Sequence, residues 1–237
     1  MKKILCLFVL CCVAIGLFAC VQPETPDTPD TPEVTVMSWE EYMAAELNSK
    51  VVIEAYVQAH QSWWDNKITI YAQDEDGGYY LYNIPCSEED AAKLVPGTKI
   101  RVTGYKAEWS GEIEIVSDEL DPAKIEILEG SYVATPVDVT DKLGTDELIN
   151  YQNMLVEFKG MTVVSLEFKN GGGDDIYVNL THNGVAYQFC VEVYLTGTST
   201  ELYQTVSALK EGDIIDVQGF AYWYNGINTH MTSVVVK

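Results

Sequence analysis

The sequence predicts an all-β fold with short helices, built as two tandem copies of one five-stranded unit. Three observations support this. A segment that begins at Leu94 recurs at Leu209 without a gap, and both copies keep three glycines and several aromatic positions. Runs of alternating apolar and polar residues, typical of half-buried strands, recur along the chain. Turn-forming clusters such as "DEDGG" separate these runs.

The first 20 residues, "MKKILCLFVLCCVAIGLFAC", have the layout of an export signal: two lysines, an apolar run, and small residues before a cysteine. The ending "LFAC" resembles the lipobox of bacterial lipoproteins. That resemblance implies cleavage before Cys20 and a lipid on this cysteine, so residues 1–19 are interpreted as a lipoprotein signal peptide. The alternatives are an ordinary secretory signal or a single membrane anchor, which the short apolar run disfavours.

The next segment, "VQPETPDTPDTPEVTV", repeats a Thr-Pro-Asp unit. Frequent proline favours an extended, polyproline-like chain, so no core is expected here. We interpret residues 20–36 as the lipidated cysteine followed by a semi-rigid stalk; a disordered tail is the alternative. The predicted domains after it are a first β unit over 37–128, a connector over 129–150 and a second β unit over 151–237.

The charge of the chain argues against polyanionic ligands. Removing the signal takes two of the 14 basic residues and none of the 36 acidic ones, which leaves 12 against 36 and a net charge of −24. Such a field repels polyanions at long range. Nucleic-acid binding begins with Lys and Arg neutralising phosphates, and Arg101 is the single arginine of the sequence.

Each half contains five strand patterns, with a helix pattern between the third and the fourth. Ser38 and Glu41 form a capping box for a helix ahead of the first strand, and Ser87 is placed to cap the next helix. The first-half strands are "VVIEAYVQA", "KITIYAQ", "GYYLYNIPC", "PGTKIRVTGYKAEW" and "EIEIVS". The second-half strands are "MLVEFKGMTVVSLE", "DIYVNLT", "VAYQFCVEVY", "DIIDVQGFAYWY" and "INTHMTSVVV", with the helix "TSTELYQTVSAL".

This element order resembles the OB fold, a small, partly open Greek-key barrel. The glycines in "VTGY" and "VQGF" match positions where a strand of such a barrel bends sharply. More narrowly, the chain resembles the tandem OB modules of bacterial surface lipoproteins, which are related to OB domains of the nucleic-acid-binding type. The resemblance implies two tandem five-stranded barrels after the signal peptide and the stalk.

Aromatic residues concentrate where OB folds hold oligonucleotides or oligosaccharides, on the second and third strands and the adjoining loops. On the resemblance, Trp63 and Trp64 lie in the 1–2 loop of the first half and converge with Trp109 of the 4–5 loop. Neighbours on a strand or tight loop point in opposite directions, so one of Trp63 and Trp64 is expected to be exposed. The full set of candidate ligand-binding residues is Trp63, Trp64, Tyr80, Tyr82, Trp109, Tyr222, Trp223 and Tyr224.

Two alternatives remain open for these aromatics: they cap the barrel ends, or they fill the contact between the two halves. The second half has a glycine-rich 1–2 loop without tryptophan, "EFKNGGGDD", so we expect the first site to be the better formed. Cys86 and Cys190 occupy corresponding places in the two halves. We expect each to be a small buried hydrophobe in its own half, and a disulfide between them is the alternative.

No motif for catalysis or for metal or cofactor binding is recognisable. His60, His182 and His230 are far apart in sequence, and "QDEDGG" lacks the spaced ligands of a calcium loop. No carboxylate pair stands out as a hydrolase dyad. We therefore predict a non-enzymatic protein without metal or cofactor.

The predicted function is that of a lipid-anchored binding module in the bacterial cell envelope, on the outer surface or facing the periplasm. Its expected ligand is a glycan or a peptide, held by the aromatic loops. One alternative is single-stranded nucleic acid, favoured by the OB resemblance and opposed by the charge. The other is a protein–protein contact within a surface complex, with the aromatics as its hot spot.

Overall fold

The computed structural model of the protein describes residues 35–237. The predicted signal peptide, Cys20 and most of the predicted stalk lie outside these residues. Among residues 35–237, no helix is both long and apolar enough to span a bilayer.

The first half contains six strands and two short helices. In chain order they are α1 (Trp39–Ala44), β1 (Lys50–His60), β2 (Lys67–Gln73), β3 (Gly78–Pro85), α2 (Glu88–Ala91), β4 (Thr98–Trp109), β5 (Glu112–Val116) and β6 (Lys124–Ser131). Both predicted N-caps are confirmed: the Ser38 side chain accepts from the Glu41 amide in a full capping box, and the Ser87 side chain accepts from the Asp90 amide.

The second half follows the same order after a short connecting region. Its elements are β7 (Val137–Asp138), 3-10 helices at Thr140–Lys142 and Asp146–Tyr151, β8 (Leu155–Phe168), a 3-10 turn at Lys169–Gly171, β9 (Ile176–His182), β10 (Val185–Val191), α3 (Val193–Thr196), α4 (Glu201–Ser207), β11 (Ile214–Phe220) and β12 (His230–Val236). The Thr200 side chain caps α4 by accepting from the Tyr203 amide.

The strands of the first half close into a five-stranded OB barrel. Hydrogen bonds join them in the order β1–β2–β3–β5–β4, and β4 pairs back with β1; β3 and β5 are parallel, and the other pairs are antiparallel. The second half repeats this order as β8–β9–β10–β12–β11, and β11 pairs with β8. The predicted all-β OB architecture is therefore confirmed.

Each half builds its own core from the inward positions of its strands. The first core includes Val51, Ile53, Ile70, Leu81 and Val102. The second core includes Val156, Phe158, Val178, Phe189 and Val217. The inward positions alternate with outward ones, so the outward side chains of β2, β3, β9 and β10 are available for other contacts.

Two strands were not predicted. β6 pairs with β4 through residues 124–131, so the sheet extends into the predicted connector, and β7 pairs in parallel with β8 at Val137 and Asp138. Both lie next to the barrel rather than in it, at sheet edges that a five-strand repeat does not require. The described residues cluster into one compact unit, and the division into two domains stays a prediction.

The predicted third and fourth strands of the second half were too long. β10 ends at Val191, because the Glu192 side chain accepts from the Tyr194 amide and starts α3. β11 ends at Phe220, and residues 221–229 form a loop region instead. Cys86 and Cys190 are both free thiols, with Cys190 buried and Cys86 partly exposed.

Candidate functional site

The outward face of β2 and β3 is covered by the second half. Tyr71 and Tyr80 form a buried cluster with Phe220 and Tyr222. The rings of Tyr71 and Phe220 stack with centroids 4.3 Å apart and planes 5° apart. The hydroxyl of Tyr71 lies 2.6 Å from Nδ1 of His230. The face on which an OB fold holds ligands is thus occupied by protein in the first half.

Backbone contacts reinforce this cluster. The Trp223 amide donates to Oε2 of buried Glu112 at 2.7 Å, and the Leu155 amide donates to Oε1 of Gln73 at 2.8 Å. A Cβ at Gly78 would lie 2.3 Å from the carbonyl carbon of Asn153, so only glycine allows these two backbone segments to approach this closely. The two halves are held in one arrangement.

Trp63 and Trp64 point in different directions, as expected for neighbours in a tight loop. Trp63 packs against the first core, and its Nε1 donates to the carbonyl of Cys86 at 2.9 Å. Trp64 is 80% exposed and lines a groove with Tyr194. That groove shares no residue with the one lined by Trp109, so the structure does not bring Trp63, Trp64 and Trp109 together.

The 4–5 loops of the two halves meet. The rings of Trp109 and Tyr224 lie 5.1 Å apart with planes tilted by 34°, and both side chains are about half exposed. The Asn225 amide donates to the carbonyl of Ser110 at 2.7 Å and ties the loops together. Aromatic pairs at this separation contribute stabilising free energy beyond that of their buried area. The Trp109–Tyr224 pair is called the rim below.

This rim borders a groove of about 390 Å³ on the outward face of β9 and β10, here called the Trp109 groove. Its lining consists of Trp109, Asp175, Tyr177, Gln188, Cys190, Glu192, Tyr222, Tyr224, Asn228 and His230. A second groove of about 400 Å³ continues from it across Gln188, Tyr224 and Asn228, and Trp223 lies in its wall. The sequence predicted four of these aromatics, Trp109, Tyr222, Trp223 and Tyr224.

Buried polar side chains form the floor of the Trp109 groove. Asp175 accepts from the Val193 amide at 2.9 Å and from Lys169 Nζ at 2.9 Å. Nδ2 of Asn228 donates to the carbonyl of Gln188 at 3.0 Å. Within residues 35–237, Oδ1 of Asn228 and Oε1 of Gln188 have no side-chain hydrogen-bond partner, so each can accept a bond from a ligand.

Glu192 is a buried acid of this floor whose pKa is raised. Its Oε1 accepts from the Tyr194 amide at 3.1 Å, and its Oε2 accepts from Gln61 Nε2 of the first half at 3.0 Å. Burial, aided by the nearby charge of Asp175, raises its pKa to about 7. The carboxyl is therefore half protonated near neutral pH and can donate as well as accept.

His230 supplies a hydrogen-bond donor to the same floor. Burial lowers the pKa of its imidazole to about 4, so the ring is neutral at pH 7. Burial raises the pKa of Tyr71 well above its usual value, so this hydroxyl keeps its proton. We assign Tyr71 as the donor to Nδ1, since its hydroxyl has no other acceptor among residues 35–237. The imidazole proton then sits on Nε2.

One basic side chain, Lys169, borders this site and is paired with Asp175; Lys99, Arg101 and Lys106 do not line it. Lys99 and Arg101 share one face of β4, and both bind Glu54 at 2.7 Å. Nζ of Lys106 is buried and donates to the carbonyls of Met43 and Ala45. Within the described part of the chain, neither the Trp109 groove nor its continuation contains a lysine or an arginine.

The remaining predicted residues are Tyr80 and Tyr82. Tyr80 is 3% exposed in the contact between the halves, which is the alternative that the sequence left open. Tyr82 is 43% exposed and stacks on Tyr80 with centroids 6.1 Å apart. The Trp109 groove lies on the outward face of the second half, and the second half itself covers the outward face of the first.

No group of three or more His, Cys, Asp or Glu residues suited to a metal ion occurs within residues 35–237.

No protein-family model matches the chain, and no curated protein matches it. Similar solved structures include a murine DNA-binding protein bound with double-stranded DNA, at 13% identity and a TM-score of 0.37 over 78% of this chain and 94% of that one. The tetrameric p202 HIN2 is 11% identical, with a TM-score of 0.33 over 81% of this chain and 96% of that one. A replication protein A heterotrimer bound to single-stranded DNA is 12% identical, with a TM-score of 0.29 over 80% of this chain and 49% of that one.

Proposed function

We propose that the protein is a non-enzymatic binding module that holds an uncharged, elongated ligand, a glycan, in the Trp109 groove. The observation that carries this proposal is the half-exposed Trp109–Tyr224 pair above a floor of buried polar groups with no lysine or arginine. OB folds hold oligosaccharides and oligonucleotides on this face.

The chemistry of the groove suits a sugar ring. The apolar face of a ring packs on Trp109 or Tyr224, and burial of that apolar area is favourable. Hydroxyl groups both donate and accept, which matches a floor that offers Nε2 of His230 as donor and the amide oxygens of Asn228 and Gln188 as acceptors. The continuing groove past Tyr224 gives room for further rings.

Single-stranded nucleic acid is the second candidate. It is favoured by the OB strand face and by the exposed Trp109 and Tyr224 rings, since bases stack on such rings with about 1–3 kcal/mol each. It is opposed by the lack of lysine and arginine in the groove lining, by the pairing of Lys99 and Arg101 with Glu54, and by the net charge of −22 of the full sequence. A peptide or a protein partner would use the same aromatics as a hot spot.

The location belongs to the same proposal. Lipidation at Cys20 and a Thr/Pro/Asp stalk would hold the module at a bacterial membrane, and the "LFAC" sequence supports this. Replacing Cys20 with Ser should abolish incorporation of labelled fatty acid and move the protein from the membrane to the soluble fraction. Membrane retention without label would point to a transmembrane anchor instead.

The binding test uses calorimetric titration of the protein with neutral oligosaccharide fractions and with single-stranded oligonucleotides, at low and moderate salt. We expect glycan binding that does not change with salt. Trp109→Ala and Tyr224→Ala should each abolish it. Trp64→Ala, a matched change at the exposed tryptophan of the other groove, should leave it intact. These side chains are exposed, so the variants should fold normally.

Two outcomes contradict the proposal. Oligonucleotide binding that weakens steeply with salt, together with no response to any glycan, would assign the groove to nucleic acid. Glycan binding that survives both Trp109→Ala and Tyr224→Ala would place the site elsewhere on the molecule.

A further inference from the structure

A tight turn sets Trp64 and Lys67 side by side. The intervening Asp65 and Asn66 have positive φ angles of 49° and 58°, the requirement of a two-residue hairpin turn. The Trp64 amide donates to the Lys67 carbonyl at 3.1 Å, and the Lys67 amide donates to the Trp64 carbonyl at 2.9 Å. Residues paired in this way project their side chains from the same face, so Trp64 and Lys67 line the same groove.

Tyr194 of the second half completes a groove of about 250 Å³ with this turn, here called the Trp64 groove. Trp64 is 80% and Tyr194 61% exposed, so two large aromatic side chains face solvent. The Ser62 amide donates to the Tyr194 carbonyl at 2.8 Å, and Gln61 donates to Glu192 at 3.0 Å. These bonds hold the walls in place before any ligand arrives, which reduces the entropy lost on binding.

The polar groups of the Trp64 groove include one cation and several hydrogen-bonding groups. Within residues 35–237, Lys67 Nζ has no carboxylate partner within 4.0 Å, unlike most lysines of this acidic chain. Oγ1 of Thr69 accepts from the Asn83 amide at 3.1 Å, so its own proton is free to donate. Asn83 also lines the groove, and within residues 35–237 its side-chain amide has no hydrogen-bond partner.

We propose that the Trp64 groove is a second binding site, for a sugar that carries a carboxylate, such as a uronic acid unit. The ring would pack on Trp64 or Tyr194, the carboxylate would bind the Lys67 ammonium, and Thr69 and Asn83 would bind hydroxyls. A charge-assisted bond to a lysine is roughly twice as strong as a neutral one, which selects the acid over a neutral sugar.

A single ammonium suits one carboxylate better than a chain of phosphates, which needs several cations. The groove volume of about 250 Å³ is small for a ligand site and suits a single sugar ring better than a long chain. This inference does not rest on the proposed function, because Trp64, Tyr194 and Lys67 are all absent from the Trp109 groove.

The test is titration of the protein with a glucuronate-containing disaccharide and with its uncharged glucose counterpart, followed by tryptophan fluorescence and calorimetry. Lys67→Gln keeps the length of the side chain roughly and removes the charge; Lys210→Gln removes the same charge at a remote exposed lysine. All titrations use the Trp109→Ala background, which removes the proposed neutral-glycan site, and Trp64→Ala then removes the aromatic wall of the Trp64 groove. A short single-stranded oligonucleotide is titrated in parallel.

We expect the acidic disaccharide to bind at least about tenfold more tightly than the neutral one, as the loss of one charge-assisted bond implies. Lys67→Gln should erase this preference, Trp64→Ala should abolish binding, and Lys210→Gln should change neither. Equal affinity for the two disaccharides, an unchanged preference in Lys67→Gln, or no saturable binding would overturn the inference. Tighter binding of the oligonucleotide at Trp64 would assign this groove to nucleic acid instead.

Discussion

Glu114 on β5 should make the stability of the protein fall as the pH rises through neutrality. Glu114 is 8% exposed, and no hydrogen bond to its carboxyl is present within residues 35–237. Burial alone raises its pKa from 4.5 to about 7. In the unfolded chain the pKa returns to near 4.5, so between these two values the folded state binds more protons, and stability falls with rising pH.

The difference between the two pKa values corresponds to on the order of 3 kcal/mol, at about 1.4 kcal/mol for each tenfold change in proton affinity. Glu114→Gln keeps the shape and removes the ionisation. We expect this variant to gain up to about 3 kcal/mol in free energy of unfolding well above pH 7 and to change little near pH 4.5.

The assay is urea unfolding at about pH 4.5 and pH 8.5, with Glu119→Gln as control because Glu119 is an exposed acid close by in sequence. The control removes the same negative charge and should give a small change at both pH values. The reasoning is refuted if Glu114→Gln has the same effect at both pH values, or if it destabilises the protein at high pH.

Three further changes test the contact between the halves and one cap, each by urea unfolding. Phe220→Ala removes the ring stacked on Tyr71 and should cost about 3–5 kcal/mol; a loss below about 1 kcal/mol would mean that this contact is not maintained in solution. Gly78→Ala sets a Cβ against the Asn153 backbone and should cost at least about 2 kcal/mol, whereas a neutral result would show that the halves can separate. Ser38→Ala removes the capping box of α1 and should cost about 1 kcal/mol.

The strands of the barrels could be predicted because each half must bury one face of every strand. Alternation in "KITIYAQ" and the glycine-bearing repeat at Leu94 and Leu209 follow directly from that need. β6 and β7 could not be predicted in this way. Much of β6 is exposed, so its residues lack a strong inward pattern, and β7 is held by only two register pairs with β8.

The candidate site was predictable in its aromatics but not in its floor. Tyr177, Gln188 and Cys190 occupy the outward positions beside core residues of β9 and β10, and alternation alone could have identified them as one face. His230 could not be found, because its role depends on the Tyr71 hydroxyl of the other half, 159 positions away in sequence. Tyr194 lay within a predicted strand, and the Glu192 cap that turns it outward is a local contact that strand patterns do not reveal.

The duplication explains why the two copies of the barrel do not provide two equal sites. Trp109 and Tyr224 are equivalent positions of the repeat, and in the folded chain they contact each other and form one shared rim. Phe220 and Tyr222 of the second copy cover Tyr71 and Tyr80 of the first. Covering that face places the 4–5 loop of the first half against the 4–5 loop of the second, beside the outward face of β9 and β10.

A stoichiometry follows from this arrangement. If each barrel used its own strand face, a neutral glycan would bind at two sites of similar affinity. Because the first face is filled by Phe220 and Tyr222, we expect calorimetry to give one glycan per chain, lost as a whole in Trp109→Ala. Two equivalent sites for the same neutral glycan would contradict this arrangement, since the outward face of β2 and β3 would then have to be open in solution.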